Sequence, residues 1–210
     1  LAVARRIFIS LAIALLVGGS LAPAAGARNL SRLMAPTSVC ADQTDLTTPD
    51  AAQRRAMRCM TGFARRHAGR GGLVEARSLD RSARDKAADI LRCDSFSHDA
   101  CGRGFTFWMR RVSYLSAPCW RVGENLAWGT GRYASVRSIF RAWIHSPEHR
   151  ANILGRYTQV GIGLRVGALS GDQEVHVWVQ HFGSHCGPAP KPAPVPHTSL
   201  SPAVAVALAG

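Results

Sequence analysis

None of the six cysteines in this chain forms a close Cys-x-x-Cys pair, so zinc held by cysteine lacks its usual ligand spacing. Nor is there an apolar run of the roughly 20 residues that a bilayer core requires. The candidate, Ile7 to Val17, is shorter and is followed by Gly18, Gly19, Ser20 and Pro23, which argues against a membrane-spanning anchor. Acidic side chains are scarce, 13 against 26 lysines and arginines. The arginines are scattered, with no aromatic-interleaved patch and no helix that reads as a groove reader, so nucleic acid binding is not expected. The charge imbalance favours anionic neighbours such as phosphate-bearing lipid headgroups or acidic wall polymers, and it strengthens adhesion more than it defines a site.

The N-terminal stretch places Arg5 and Arg6 ahead of the apolar run and ends it at Ala25-Gly26-Ala27. Charge, short apolar core and small-residue end are the pattern of a secretory signal peptide. Residues 1–27 are expected to be removed with two basic and no acidic residues, leaving a formal charge of about +11. All six cysteines (Cys40, Cys59, Cys93, Cys101, Cys119 and Cys186) lie beyond that segment. An even count in an exported chain reads as three disulfides, with 15 possible connectivities. The expected destination is secreted, extracellular or periplasmic, and the protein is expected to be a monomer. Residues 28–47 read as a polar, irregular arm tied down at Cys40, residues 48–187 as the folded domain, and residues 188–210 as a Pro/Ala-rich tail without a fold of its own.

Within the domain, Thr48-Pro49-Asp50 is a helix start, with threonine as cap and proline at the first helical position. Ala52, Ala56, Met60, Phe63 and Ala64 then share one face, predicting a helix over 49–67. Ser78 or Asp80 would cap a second helix carrying Leu79, Ala83, Lys86/Ala87 and Ile90 and stopping near Cys93. Phe107, Met109 and Val112 suit a short helix. Val136, Ile139, Phe140 and Trp143 form an apolar stripe that ends before Pro147. The period changes to two at Val160, Ile162, Leu164 and Val166, and again at Val175, Val177 and Val179, predicting a hairpin across the Gly167 to Gln173 turn region.

Polar groups with little structural reason to be there gather in three stretches: Phe96-Ser97-His98, Gly123-Glu124-Asn125-Leu126-Ala127, and His145 through Leu154. A carboxylate inside an apolar run, as at Glu124, must find a cation, donors or a metal if it is buried. Paired with an imidazole it would favour the protonated ring and fix its tautomer. A plain structural His–Glu pair pinning two segments is the competing reading.

The segments SLDRSARDKAADILRCDSFSH, VGENLAWG, SIFRAWIHSPEHRANIL, RYTQVGIGLRV and VHVWVQHFG occur in an order that resembles the bacterial form of the CAP superfamily, the cysteine-rich secretory protein, antigen 5 and pathogenesis-related 1 family. The resemblance runs from about Met57 to Gly183. It implies an α+β fold, a three-layer α-β-α sandwich with a small antiparallel sheet and a shallow cleft lined by two histidines and two acids. Carried over residue by residue, it makes His98 and Glu124 cleft residues. Animal and plant members carry an acid where this chain has Ser146 and a histidine where it has Arg156, so two of the four cleft groups are replaced.

His149 and Glu148 are further cleft candidates from the SPEHR stretch, and Gln159 and Gln180 from the strands; Arg150 and Asn152 are expected to tie loop carbonyls instead. The resemblance implies binding of a lipid, an anionic envelope polymer or a partner protein through the cleft. The alternative is a metal-assisted, peptidase-like hydrolase in which His98 and Glu124 are catalytic or hold a divalent ion such as zinc. Cysteine placement bears on the same region. A Cys93–Cys101 bridge would close a loop around His98 worth about 2.5 kcal/mol by chain entropy, while pairing of either cysteine with Cys119 is the competing arrangement.

Overall fold

The computed structural model describes residues 30–185. The expected signal peptide, the Pro/Ala-rich tail and Cys186 lie outside the described residues. Five helices and four strands follow one another: α1 (Asp50–His67), β1 (Val74–Glu75), α2 (Arg77–Arg92), α3 (Phe107–Arg111), β2 (Trp120–Gly129), α4 (Val136–His145), α5 (Pro147–Ile153), β3 (Gln159–Leu169) and β4 (Asp172–His185). Among the described residues no helix is long and apolar enough to cross a membrane.

Helix α1 falls where its periodicity places it, but Pro49 occupies the cap position and no side chain caps the helix. Thr48 turns away because its hydroxyl donates to the Asp45 carbonyl. Helix α2 likewise starts without a side-chain cap at Ala76. There the sheet sets the start, since the Ala76 amide donates to the Val160 carbonyl at 3.0 Å. Asp80, expected as a cap, lies inside the helix and accepts from the Ile162 amide at 2.7 Å, tying α2 to β3. Helix α4 has its own cap in Ser135, whose hydroxyl oxygen accepts from the Ser138 amide. Pro147 ends that helix and opens α5 at its first turn, a short helix that the sequence pattern did not announce.

The strands form one sheet in the order β1-β3-β4-β2, in which β1 runs parallel to β3 and the other pairs are antiparallel. The expected hairpin joins β3 to β4, with Leu169 paired to Asp172. Ser170 and Gly171 between them both have positive φ, 52° and 87°, the left-handed pair that a tight two-residue hairpin loop requires.

Helices cover both faces, which completes the three-layer sandwich. On one face Ile162, Leu164, Trp178 and Phe182 pack with Met57 and Met60 of α1, Phe140 and Trp143 of α4, and Ile153 of α5. On the other, Val175, Val177 and Val179 pack with Ala83, Ala87 and Ile90 of α2. Strand β4 is thus buried on both sides. The stretch before α1 is irregular but not detached. Cys40 is bonded to Cys59 of α1, and Leu33 and Ala35 sit in the first core.

Helix α2 lies almost backbone to backbone on β3. A Cβ at Gly161 would stand 2.1 Å from the Leu79 carbonyl carbon, and one at Gly163 would stand 2.3 Å from that of Ala83. Neither obstacle is a side chain that can rotate away. Gly163→Ala should therefore lower stability by roughly 3 kcal/mol, near the top of the usual overpacking range, as a drop in the urea midpoint; an unchanged midpoint would show that α2 can stand off from the sheet without cost.

Candidate functional site

Strand pairing builds the centre of the site. Glu124 and His181 are direct cross-strand partners on β2 and β4, and the next pair is Asn125 with Gln180. Because successive side chains point to opposite faces, the first pair faces α2 and the second faces the α1/α5 layer. On the α2 side, His181 Nε2 lies 2.8 Å from Glu124 Oε2. His98 Nδ1 lies 2.6 Å from Glu124 Oε1. Each carboxylate oxygen is therefore engaged by one imidazole. The Glu124 side chain is 1% exposed and that of His98 is 56% exposed, so the pair joins a sealed carboxylate to a ring that meets solvent.

His98 sits in the turn after α2, and that turn is closed by the Cys93–Cys101 disulfide, with Cα atoms 5.5 Å apart. Cys119 is disulfide-bonded as well, and no described cysteine is left as a thiol. From α2, Lys86 reaches under the same turn and its Nζ donates to the His98 carbonyl at 2.5 Å. Ser82, one helical turn earlier, places its Oγ 2.7 Å from His181 Nδ1 and 3.0 Å from the Leu79 carbonyl. Its single proton can serve only one of those acceptors at a time. The result is a chain of contacts, Ser82 to His181 to Glu124 to His98, that runs from a buried helix face to a surface hollow.

That hollow has a volume of about 250 Å³ and is lined by His98, Phe105 and Glu124, small beside the usual 300–1,000 Å³ of ligand pockets. His149, which is not among the residues lining the hollow, bonds through Nδ1 to Ser146 Oγ at 2.9 Å. Ser146 in turn donates to Glu148, which is exposed. Gln180 is wholly buried, donating to Thr61 and accepting from Asn125. Gln159 accepts from the Tyr114 hydroxyl at 2.6 Å. The glutamines thus serve the packing of the sheet and line no part of the hollow. Arg150 and Asn152 tie carbonyls: Arg150 donates to Ile144, and Asn152 donates to Glu124 at 3.1 Å. Ser97 Oγ accepts from the Asp99 amide and supplies no hydroxyl to His98.

Electrostatics follow from this geometry. Burial pushes the Glu124 carboxyl up, but the hydrogen bonds from His181 and His98 outweigh it and hold the group below its ordinary range. His98 is raised, first by its bond to Glu124 and then, against the opposing effect of burial, by the Glu124 charge. Burial lowers Lys86, opposed by the charges of Glu124, Asp89 and Asp99. His149 is lowered by burial and next by the charge of His98, so the two imidazoles repel one another when charged. With both Glu124 oxygens engaged, and with no group of three His, Cys, Asp or Glu side chains among the described residues arranged to hold a metal ion, the pair does not fit the divalent metal site it suggested.

Ser82, Lys86 and His181 were not among the residues singled out from the sequence. A signal existed for each. His181 continues the Val175-Val177-Val179 series on the buried face of a strand, and Ser82 and Lys86 stand four apart on the buried face of a helix.

The linkage between charge and stability has a definite sign here. Glu124 contributes in full above its ordinary value of 4.5 and loses its contribution as pH falls through the lowered one. His98 contributes in full below 6.5 and loses its share as pH rises through the raised one. The contribution of this pair to the melting temperature should be flat between about pH 4.5 and 6.5 and fall on either side. Glu124→Gln should flatten both slopes and cost at least about 1.5 kcal/mol, the value of one charge-assisted bond; a pH profile unaltered by that substitution would contradict the assignment.

Residues 52–182 match the family described as Cysteine-rich secretory protein family. Protein YkwD of Bacillus subtilis (strain 168), itself uncharacterized, is 29% identical over 167 residues; the match covers 78% of this chain and 55% of that protein. The chain thus spans about half the length of this relative. Among solved structures, an extracellular protein containing a SCP domain from Bacillus anthracis str. Ames superposes with a TM-score of 0.50 at 19% identity, covering 64% of this chain and 43% of that one. An outer surface protein from Borrelia burgdorferi superposes with a TM-score of 0.54 at 15% identity, covering 66% of this chain and 96% of that one. At such identities the likeness is one of fold.

Proposed function

The chain belongs to the cysteine-rich secretory protein family, CAP, and from that premise we propose that it is a secreted binding domain whose His98/Glu124 cleft captures an acceptor-bearing, preferably anionic, group of a lipid, an envelope component or a partner protein. The observation that carries this reading is the double engagement of Glu124. Its carboxylate is spent on two imidazoles, so what it offers outward is the His98 ring, biased toward its protonated form by the bond to Glu124, rather than a bare carboxylate. Nδ1 of that ring faces Glu124, which leaves Nε2–H to donate to a ligand. Phe105 gives the hollow an apolar wall, suited to a ligand with a small polar head and an apolar continuation.

Export of the chain is part of the same reading. It is supported by the signal-like N-terminal stretch, by disulfides that persist in oxidising compartments, and by relatives described as extracellular or outer-surface proteins.

A second reading rests on the same 2.6 Å contact. A carboxylate that fixes Nδ1–H leaves Nε2 as a general base for water once the ring loses its proton, the orienting role an acid plays behind a catalytic histidine. No described hydroxyl stands beside His98 as a nucleophile, so this chemistry would be direct water attack.

Proton NMR of the His98 ring separates the two. Titration with anionic phospholipid vesicles, neutral vesicles and a soluble acidic wall polymer at low salt should shift the His98 resonances with at least one anionic titrant, and His98→Ala should lower that affinity about tenfold, the scale of one lost charge-assisted bond. Silence of the ring toward all three titrants would overturn the binding reading. Turnover of a peptide or ester substrate that His98→Ala abolishes would establish the second.

A further inference from the structure

Two neighbouring hollows lie along the outer face of α4, on the opposite side of the sheet from Glu124. One, of about 470 Å³, is lined by Ser31, Met34, Pro36, Arg137, Arg141 and His145. The other, of about 440 Å³, is lined by Tyr133, Ser138, Arg141, Ala142 and His145. Arg141 and His145 are common to both, so the two form one groove with a basic floor.

Arg137, Arg141 and His145 recur every four residues, which places them in a row along the helix at steps of about 6 Å. None of the three is in an ion pair among the described residues. No Asp or Glu occurs between Glu124 and Glu148, nor anywhere before Asp42. The segments that line the groove therefore bring no carboxylate of their own.

Arg137 is also held in place. Its Nη1 donates to the Ala35 carbonyl at 3.0 Å and to Gln43 Oε1 at 2.6 Å. Both partners are neutral, so the guanidinium keeps its full charge while losing the freedom that an anion would otherwise have to restrict. Arg141 and His145 are exposed.

We infer that this groove is a second binding site, for a linear phosphate polymer without bases. A flexible polyanion can set its charges against the two guanidinium groups of the row and meet the His145 ring beyond them. The exclusion of bases comes from the aromatic inventory. Tyr133, 61% exposed, is the one Phe, Tyr or Trp ring lining the groove, where it accompanies the His145 imidazole. The Arg132 guanidinium already lies over it at 4.9 Å from the ring centroid and donates to its hydroxyl. One face of the largest ring is thus already covered, and the groove offers guanidinium charge ahead of the series of stacking platforms that single-stranded nucleic acid uses.

The test is calorimetric titration of the protein with long-chain inorganic polyphosphate, with orthophosphate at equal phosphate concentration and with oligothymidylate of equal charge as comparators. Polyphosphate should bind, and orthophosphate should not. Two guanidinium contacts predict a loss of roughly 7-fold in affinity between about 50 and 200 mM salt. Arg141→Glu should weaken polyphosphate binding roughly tenfold or more, with Arg141→Gln in between, while Arg81→Glu, the same charge change at an exposed site on α2, should have a much smaller effect. Equal losses in Arg141→Glu and Arg81→Glu would reduce the effect to net charge and overturn the site. So would absence of polyphosphate binding, or tighter binding of oligothymidylate that Tyr133→Ala removes. Repeating the titrations in a His98→Ala background, where the loss caused by Arg141→Glu should persist, separates failure here from failure of the cleft reading.

Discussion

Sealing the Glu124 carboxylate from water is the constraint around which this domain is arranged. An ionised carboxylate at 1% side-chain exposure is sustained only where charge-assisted donors replace its hydration. Here those donors come from elements far apart in sequence. His181 comes from β4 and His98 from the disulfide-closed turn, while the Lys86 charge adds attraction from α2. Sheet register, helix approach and turn closure must all be right before the carboxylate is satisfied. The pair of glycines in β3 contributes at one remove, by letting α2 lie close enough for Ser82 to meet His181 and for Lys86 to meet the His98 turn.

One sheet serves two chemistries because its pleat separates them. Glu124 and His181 look toward α2, while Asn125 and Gln180, one residue along, look toward α1 and α5. The second pair joins a neutral network in which Asn125 also bonds Asn152 and the His149 carbonyl. That network pins the start of α5 and with it His149. The short Gly-Glu-Asn stretch thus faces two layers at once, which is why adjacent residues of one strand have unrelated roles.

Much of this was legible beforehand. The apolar stripes of α1, α2 and α4 and the alternation of β3 and β4 are direct consequences of burying one face, and they appear in the sequence as period. His98 and Glu124 stood out as polar residues in surroundings that did not call for them. Strand β2 was less legible as a strand. Its Gly-Glu-Asn centre breaks the apolar alternation, since those side chains are satisfied by hydrogen bonds from other elements. Gln180 looked like a cleft residue because alternation suggests a solvated side. In fact the middle of β4 is central and has no such side, so Gln180 on one face and His181 on the other are both buried and bonded. Helix α5 was hidden because seven residues leave too little room for a periodic stripe.

The Cys93–Cys101 bond gives the domain an unequal dependence on its surroundings. None of the three core clusters includes these two sulfurs, whereas the turn carrying His98 lies wholly between them. Oxidation therefore acts as a licence rather than a foundation. Opening this one bond would leave the layered body in place while freeing the His98 imidazole to move away from the carboxylate.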